Sequence, residues 1–195
     1  MVMSSRAAVL LSSMLRTLWP ISSLRSHSRV TNAPRSSCQL SSMPASTHQV
    51  INADAKVRIA QQVASLIPDD ASVALGIGTT MEAIAKQLLR KKGLKIITNN
   101  LNVASIFFQQ SDCQVLVSGG QLRPQDQDLV GDQAEQFFNS FYVDFAVVSV
   151  GALDIDRGLM DFDLENAAIT QSLLDNAQHK ILAADESKWN KKAFA

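Results

Sequence analysis

Residues 72–80 read Ser-Val-Ala-Leu-Gly-Ile-Gly-Thr-Thr, and this stretch decides the fold class. A short apolar run, Ser72–Ile77, ends in glycines and two threonines. It leads into Met81, Ile84, Ala85 and Leu88, spaced as one face of a helix. A strand that turns through a glycine loop into an amphipathic helix is the first half of a βαβ unit. The pattern repeats outward. Upstream, Val57, Ala60, Val63, Ala64 and Ile67 mark a helix that Asp54 can cap, closed by the turn Pro68-Asp69-Asp70. Downstream, Gly93 ends the helix and Lys95–Thr98 is a strand. Asn102–Gln110 is helical, and Gln114–Ser118 is a strand that stops at Gly119-Gly120. Asp132–Ser140 and Asp163–Ala177 are helical. Val143–Val150 and Lys180–Ala184 are strands, and Gly151–Gly158 is a loop with two Asp.

Short apolar strands alternating with helices predict an α/β fold: a mostly parallel sheet with helices on both faces. Ligands of such sheets sit outside the carboxyl ends of the strands. Five loops of polar or glycine-rich character fall there: Gly76–Thr80, Thr98–Asn100, Ser118–Arg123, Gly151–Asp156 and Asp185–Lys188.

Each loop has a functional and a plain reading. Gly78, Thr79 and Thr80 can present backbone N–H groups and hydroxyls to a phosphate at a helix N-terminus, or form a capped turn. The loop lacks the lysine of an ATPase loop and the full dinucleotide fingerprint. Asn99 and Asn100 can donate to and accept from sugar hydroxyls, or Asn100 can cap a helix. Gly120 belongs to a possible plain turn, and Arg123 is an anion partner or a solvated side chain. Asp154, Asp156, Asp161, Asp163 and Glu165 suit sugar hydroxyls or a cation, or are solvated. Lys188 can reach a phosphate or lie free on the surface. His27, His48 and His179 lack metal spacing, and no GxSxG surrounds any Ser, so neither a metal site nor a serine nucleophile is expected. The pairs Phe107-Phe108 and Phe137-Phe138 read as core or subunit-contact positions.

Composition divides the chain. Of 195 residues, 18 are basic and 18 acidic. Residues 1–55 carry five Arg against one Asp, a net of +4, and the remaining 13 bases and 17 acids give −4. The overall balance gives no electrostatic case for nucleic-acid binding. No apolar run is long enough to span a membrane. Cys38 and Cys113 form neither a disulfide framework nor a zinc module. The leader has 13 Ser in its first 50 residues, and its apolar patch from Ala7 to Trp19 is interrupted by Ser12, Ser13 and Arg16. That composition suits a transit peptide better than a secretory signal. The third reading is a disordered or non-native segment, such as a mis-assigned start upstream of the domain. Residues 1–55 are therefore read as a leader without a helix-turn-helix, and 56–195 as the domain.

In order, Ile77-Gly78-Thr79-Thr80 with Glu82-Ala83, Ile97 to Ala104 (ITNNLNVA), Gly119 to Arg123 (GGQLR), Gly131, Asp144-Phe145-Ala146 and Asp185 to Trp189 (DESKW) resemble the effector-sensing domain of DeoR-family transcriptional regulators. The resemblance covers about residues 56–195. It implies the fold group of sugar-phosphate isomerases and coenzyme A transferases. It implies a cytoplasmic repressor that is not an enzyme and needs no cofactor. A phosphorylated sugar or polyol, such as glycerol 3-phosphate, would release it from DNA. It implies a homo-oligomer and no membrane. By position, Gly78, Thr79 and Thr80 would hold the phosphate. Asn99, Asn100, Gly120, Arg123 and Lys188 would line the pocket, with Asp163 and Glu165 near the hydroxyls. The chain departs from the family pattern at Gly76, where an Asp is usual. It departs again at Asn166–Thr170, where a Glu and a downstream basic residue are usual. Neither the usual N-terminal DNA-reading segment nor the usual strand and helix beyond residue 195 is recognisable, so the chain reads as a sensor domain truncated at both ends. DNA is then a partner at family level and not one expected for this chain alone.

The alternative is a ribose-5-phosphate isomerase-like enzyme, which the glycine turn, the acidic loop and Asp185–Lys188 would also suit. Against it, Phe162–Ala168 lacks the glycine-rich run and basic residue that the isomerases place there.

Overall fold

The computed structural model describes residues 2–4, 7–11, 52–154, 156–189, 191 and 193–194. Most of the leader, including the transit-peptide and disorder readings, lies outside these residues. Within it, Val2–Ser4 (β1) and Ala7–Leu11 (β2) are strands. The body runs α1 (Ala53–Leu66), β3 (Ser72–Leu75), α2 (Thr79–Leu88), β4 (Lys95–Thr98), α3 (Leu101–Phe107) and β5 (Gln114–Val117). There follow β6 (Gln121–Arg123), β7 (Asp128–Val130), α4 (Asp132–Asn139), β8 (Val143–Val148), β9 (Ala152–Asp154), β10 (Gly158–Met160), α5 (Leu164–Asp175) and β11 (Ala177–Asp185). A 3-10 turn, Glu186–Lys188, ends the order.

The sheet order is β1-β2-β11-β8-β3-β4-β5. The five body strands are parallel, and β2 and β1 continue the sheet antiparallel beyond β11. The period-2 alternation of apolar residues explains the two layers. Val73, Leu75, Ile96, Val147, Ile181 and Ala183 pack on one face against α1, α2 and α3. Ala74, Ile97, Ala146, Val148, Leu182 and Ala184 pack on the other against α4 and α5. Both faces are covered, as the continuous apolar strands require.

Some local expectations need correction. Val57 is exposed, and Ile59 takes the inward place on α1. Asn52, not Asp54, is the N-cap of α1. The segment after Gly120 is not a plain turn but the hairpin β6–β7, and Gly151–Gly158 contains most of the hairpin β9–β10. Sequences of three-residue strands show no period to detect, so both escape pattern reading. Phe107 and Phe138 are core, but Phe108 is exposed.

Candidate functional site

The chain proceeds from β3 to β4 and β5 on one side, then returns to place β8 and β11 on the other. The strand order thus reverses between β3 and β8, the position where open α/β sheets form a crevice. There the Gly76 N–H donates to Val147 O at 3.0 Å. Gly78 follows with φ 103°, a conformation glycine adopts without strain, and serves as N-cap of α2 with no side-chain cap. The first-turn N–H groups of α2 at Thr79 and Thr80 therefore have no capping side chain. A Cβ on Gly76 would meet Val147 O at 3.6 Å and Leu173 Cδ1 at 3.7 Å, ordinary contact distances. Crowding at that Cβ does not explain the departure from Asp.

Lys188 stands at the β11 end of this crevice. Burial pushes its ammonium pKa down, Asp185 pulls it back up, Lys191 lowers it, and Asp161 raises it. A second lysine reaches the same place. Lys56, in the first turn of α1, is 8 % exposed. Burial pushes it down, with Asp185 and Glu82 opposing and Lys188 adding to the fall. Glu82, in the first turn of α2, accepts from Asn102 Nδ2 at 2.9 Å. Asp185 fixes the frame: its Oδ1 accepts from Asn52 Nδ2 at 3.1 Å and from Ser187 N at 2.8 Å. The start of α1 is thereby tied to the turn that carries Lys188. Lys56 was missed in the sequence. Its signal was a cation on the inward stripe of α1, in register with Ala60 and Val63.

At the β4–β5 end each of the two side-chain amides has one atom occupied. Thr98 Oγ1 donates to Leu75 O at 2.8 Å and accepts from Asn100 N at 3.0 Å. Asn99 Nδ2 donates to Leu129 O at 2.9 Å. Asn100 Oδ1 caps α3, accepting from the N–H groups of Asn102 and Val103. The plain reading of Asn100 as a cap is therefore correct. Three buried polar atoms at these strand ends have no hydrogen-bond partner among the described residues: Asn99 Oδ1, Asn100 Nδ2 and Ser118 Oγ. Such orphans are rare and call for an explanation, a ligand being one.

Arg123 occupies a different setting from the one its sequence context suggested. Its Nε and Nη2 grip both oxygens of Asp128, which is fully buried. Its Nη1 donates to Asp163 Oδ2 and its Nη2 to Asn166 Oδ1, each at 2.8 Å. Burial works against the guanidinium's charge, but the hydrogen bond and charge of Asp128, with the charges of Asp163 and Asp126, outweigh it and push the pKa up. Asp163 also caps α5, accepting from Glu165 N. Arg123 therefore ties the β6–β7 hairpin to the start of α5. Gly120 makes the hairpin's closeness possible: its φ is 132°, and a Cβ there would lie 2.5 Å from Val130 O.

The acidic residues disperse. Asp154 Oδ1 accepts from the N–H groups of Asp156 and Arg157, shaping the β9–β10 turn. Glu165 and Asp156 are exposed. Of the acids from 154 to 165, Asp161 is the one whose charge acts on Lys188, alongside Asp185, and burial pushes its carboxyl up. Gly151 lets the Phe162 ring close over it, since a Cβ there would meet the ring at 2.8 Å. Among the described residues no three or more His, Cys, Asp or Glu side chains group as metal ligands, and no helix is long and apolar enough to cross a membrane. Along the carboxyl edge of the sheet, Gly78, Thr79 and Thr80 follow β3 and Lys188 follows β11, and the charges of Lys188 and of Glu82 on α2 both act on Lys56. Asn99, Asn100 and Ser118 follow β4 and β5. Arg123 and Asp163 pair with each other.

Comparison with known proteins agrees with this architecture. Residues 51–195 match the model of the DeoR C-terminal sensor domain. The chain is 35 % identical over 139 residues to the glycerol-3-phosphate regulon repressor of Escherichia coli K12, covering 71 % of this chain and 55 % of that one. It is 37 % identical to the repressor of the same name from Haemophilus influenzae, covering 54 % of that protein. It is also 37 % identical over 145 residues to the HTH-type transcriptional repressor CsqR of Escherichia coli K12, covering 74 % of this chain and 56 % of that one. The chain spans about half the length of the curated relatives it matches. Among solved structures, ribose 5-phosphate isomerase A of Methanocaldococcus jannaschii aligns with a TM-score of 0.52 at 17 % identity, over 72 % of this chain and 56 % of that one. That likeness shows the fold alone. From residue 51 onward, this chain belongs to the family of DeoR C-terminal sensor domains.

Proposed function

We propose that the chain is the effector-sensing part of a cytoplasmic, homo-oligomeric transcriptional repressor, and that its crevice binds a phosphorylated sugar or polyol such as glycerol 3-phosphate. The observation that carries this reading is the pair Lys56 and Lys188, both partly desolvated, beside the uncapped first turn of α2. Two ammonium groups and a helix N-terminus suit a phosphate dianion. Gly78, Thr79 and Thr80 complete that end. The unpaired atoms of Asn99, Asn100 and Ser118 suit hydroxyl groups, which both donate and accept. Gly120 and Arg123 form the wall, with Asp163 and Glu165 at its rim. Effector binding would be coupled to DNA release in the whole repressor.

The test is a thermal-shift series with glycerol 3-phosphate, glycerol and inorganic phosphate. A ligand at about 100 times its Kd stabilises by roughly 2.7 kcal/mol. For a chain of this size that is a rise in Tm of about 5–11 °C. Glycerol 3-phosphate should give the rise and glycerol should not. No shift with any phosphorylated sugar or polyol would end this reading.

A further inference from the structure

The sheet ends at β5, and among the described residues no strand pairs with its outer side. Its register with β4 runs from Gln114 to Val117 without a slip, so the edge carries no bulge. Gln114 N donates to Leu94 O at 2.9 Å and Ser118 N to Thr98 O at 3.0 Å. Backbone groups alternate sides along a strand, so those of Val115 and Val117 turn outward. Natural edges are commonly blunted by charge, proline or a covering segment. β5 reads Gln-Val-Leu-Val and has neither charge nor proline. Val117 is 38 % exposed, and Phe108, at the end of the α3 helix that packs on β5, is 87 % exposed. Its neighbour Phe107 is core, so of the two roles open to this pair in the sequence only subunit contact is left to Phe108. Charge is scarce around the edge. Residues 101–122 hold one charged residue, Asp112, in a chain that is 18 % charged. Depletion of charge is the compositional mark of an interface core.

We propose that the outer edge of β5, with Phe108 beside it, is an interface between two copies of this chain, joined antiparallel across a two-fold axis. The inference rests on the homo-oligomer named in the proposed function and supplies its contact surface. A two-fold sets a surface against itself, so each charge near the axis meets its own kind. A nearly neutral edge carries no such penalty, whereas a strongly basic or acidic partner finds almost nothing here to pair with. The outward N–H and C=O groups of Val115 and Val117 exchange hydrogen bonds with those of the second copy, which adds its strand to the sheet. Phe108 is the apolar anchor, an aromatic of the kind that interface cores favour.

The test is sedimentation equilibrium of the full chain over a range of concentrations, with circular dichroism to confirm that each variant is folded. Val117→Pro removes one outward N–H and leaves the β4 ladder whole, since proline is tolerated on an edge whose N–H faces away from the sheet. Phe108→Glu puts a carboxylate into each copy's half of the contact. Each variant should halve the mass at a concentration where the wild type is fully assembled, with an association at least about tenfold weaker. Tyr142→Glu, at an aromatic that is 73 % exposed outside this segment, should leave the mass unchanged. A wild type that stays monomeric overturns the interface together with the homo-oligomer reading. An unchanged mass in either folded variant, or an equal loss in Tyr142→Glu, overturns the interface alone. Hydrogen exchange gives a second readout: the amides of Val115 and Val117 should be slow in the assembled wild type and fast in Phe108→Glu. Slow exchange that persists in a monomer means that another segment of the same chain covers the edge, which also overturns the proposal.

Discussion

Arg123→Ala isolates the structural part of the site. The guanidinium is 19 % exposed and holds both oxygens of an Asp128 that water does not reach. Removing it strands that carboxylate. Breaking a buried pair from one side costs about 3–5 kcal/mol, because the surviving charge is left uncompensated. The lost bonds to Asp163 and Asn166 add less, since the Asp163 side chain is 38 % exposed. At roughly 2–4 °C per kcal/mol, Tm should fall by about 6–20 °C. The defect should depend on pH in a definite direction. Without Arg123, burial, with the charge of Asp126 added to it, raises the folded pKa of Asp128 further above the ordinary carboxylate value. An acid whose folded pKa is raised loses stability as pH rises through that value. The loss should therefore be larger at about pH 8 than at about pH 5. Urea denaturation of both proteins at both pH values measures it. A loss below about 1 kcal/mol, or one equal at the two pH values, would refute the ion-pair argument and return Arg123 to a solvated or ligand-binding role.

Three other outcomes are expected. Gly120→Ala should cost at least about 2 kcal/mol in chemical denaturation, since it meets both a positive φ and the carbonyl of Val130. Asp144→Asn should destabilise by about 1–2 kcal/mol near neutrality, discounted for partial exposure. Ser72 hydrogen bonds hold the folded Asp144 pKa below the ordinary carboxylate value, so that contribution exists above the ordinary value and fades as pH falls through the folded pKa. The wild-type and variant melting curves should thus converge in acid. Ribose 5-phosphate should not be isomerised, and turnover abolished by Asp154→Ala would favour the enzyme alternative.

The sheet was legible because Val73 to Leu75, Ile96 to Thr98 and Val143 to Val148 are apolar runs bounded by turn residues. The glycine loop at residues 76–78 and the lysine at 188 were legible because they follow those runs. Arg123 was identified as a pocket residue, but its partners were not legible. Asp163 and Asn166 lie 40 and 43 positions away, a separation that only the return of the chain through α4 and β8 closes. Lys56 was hidden for the opposite reason. A lysine on an otherwise apolar stripe is usually a side chain that snorkels to solvent, and only the approach of the β11 end encloses it. Hairpins of three-residue strands carry no periodicity, so β6–β7 and β9–β10 emerged only in three dimensions.

The central claim is that Lys56 and Lys188 together hold a phosphate at the first turn of α2. Calorimetric titration of glycerol 3-phosphate into wild-type protein and into Lys56→Ala tests it most directly. Saturable binding to the wild type is expected, with at least about a tenfold weaker Kd in the variant, in line with a lost charge-assisted hydrogen bond. Equal affinity in the two proteins, with both folded, would contradict it.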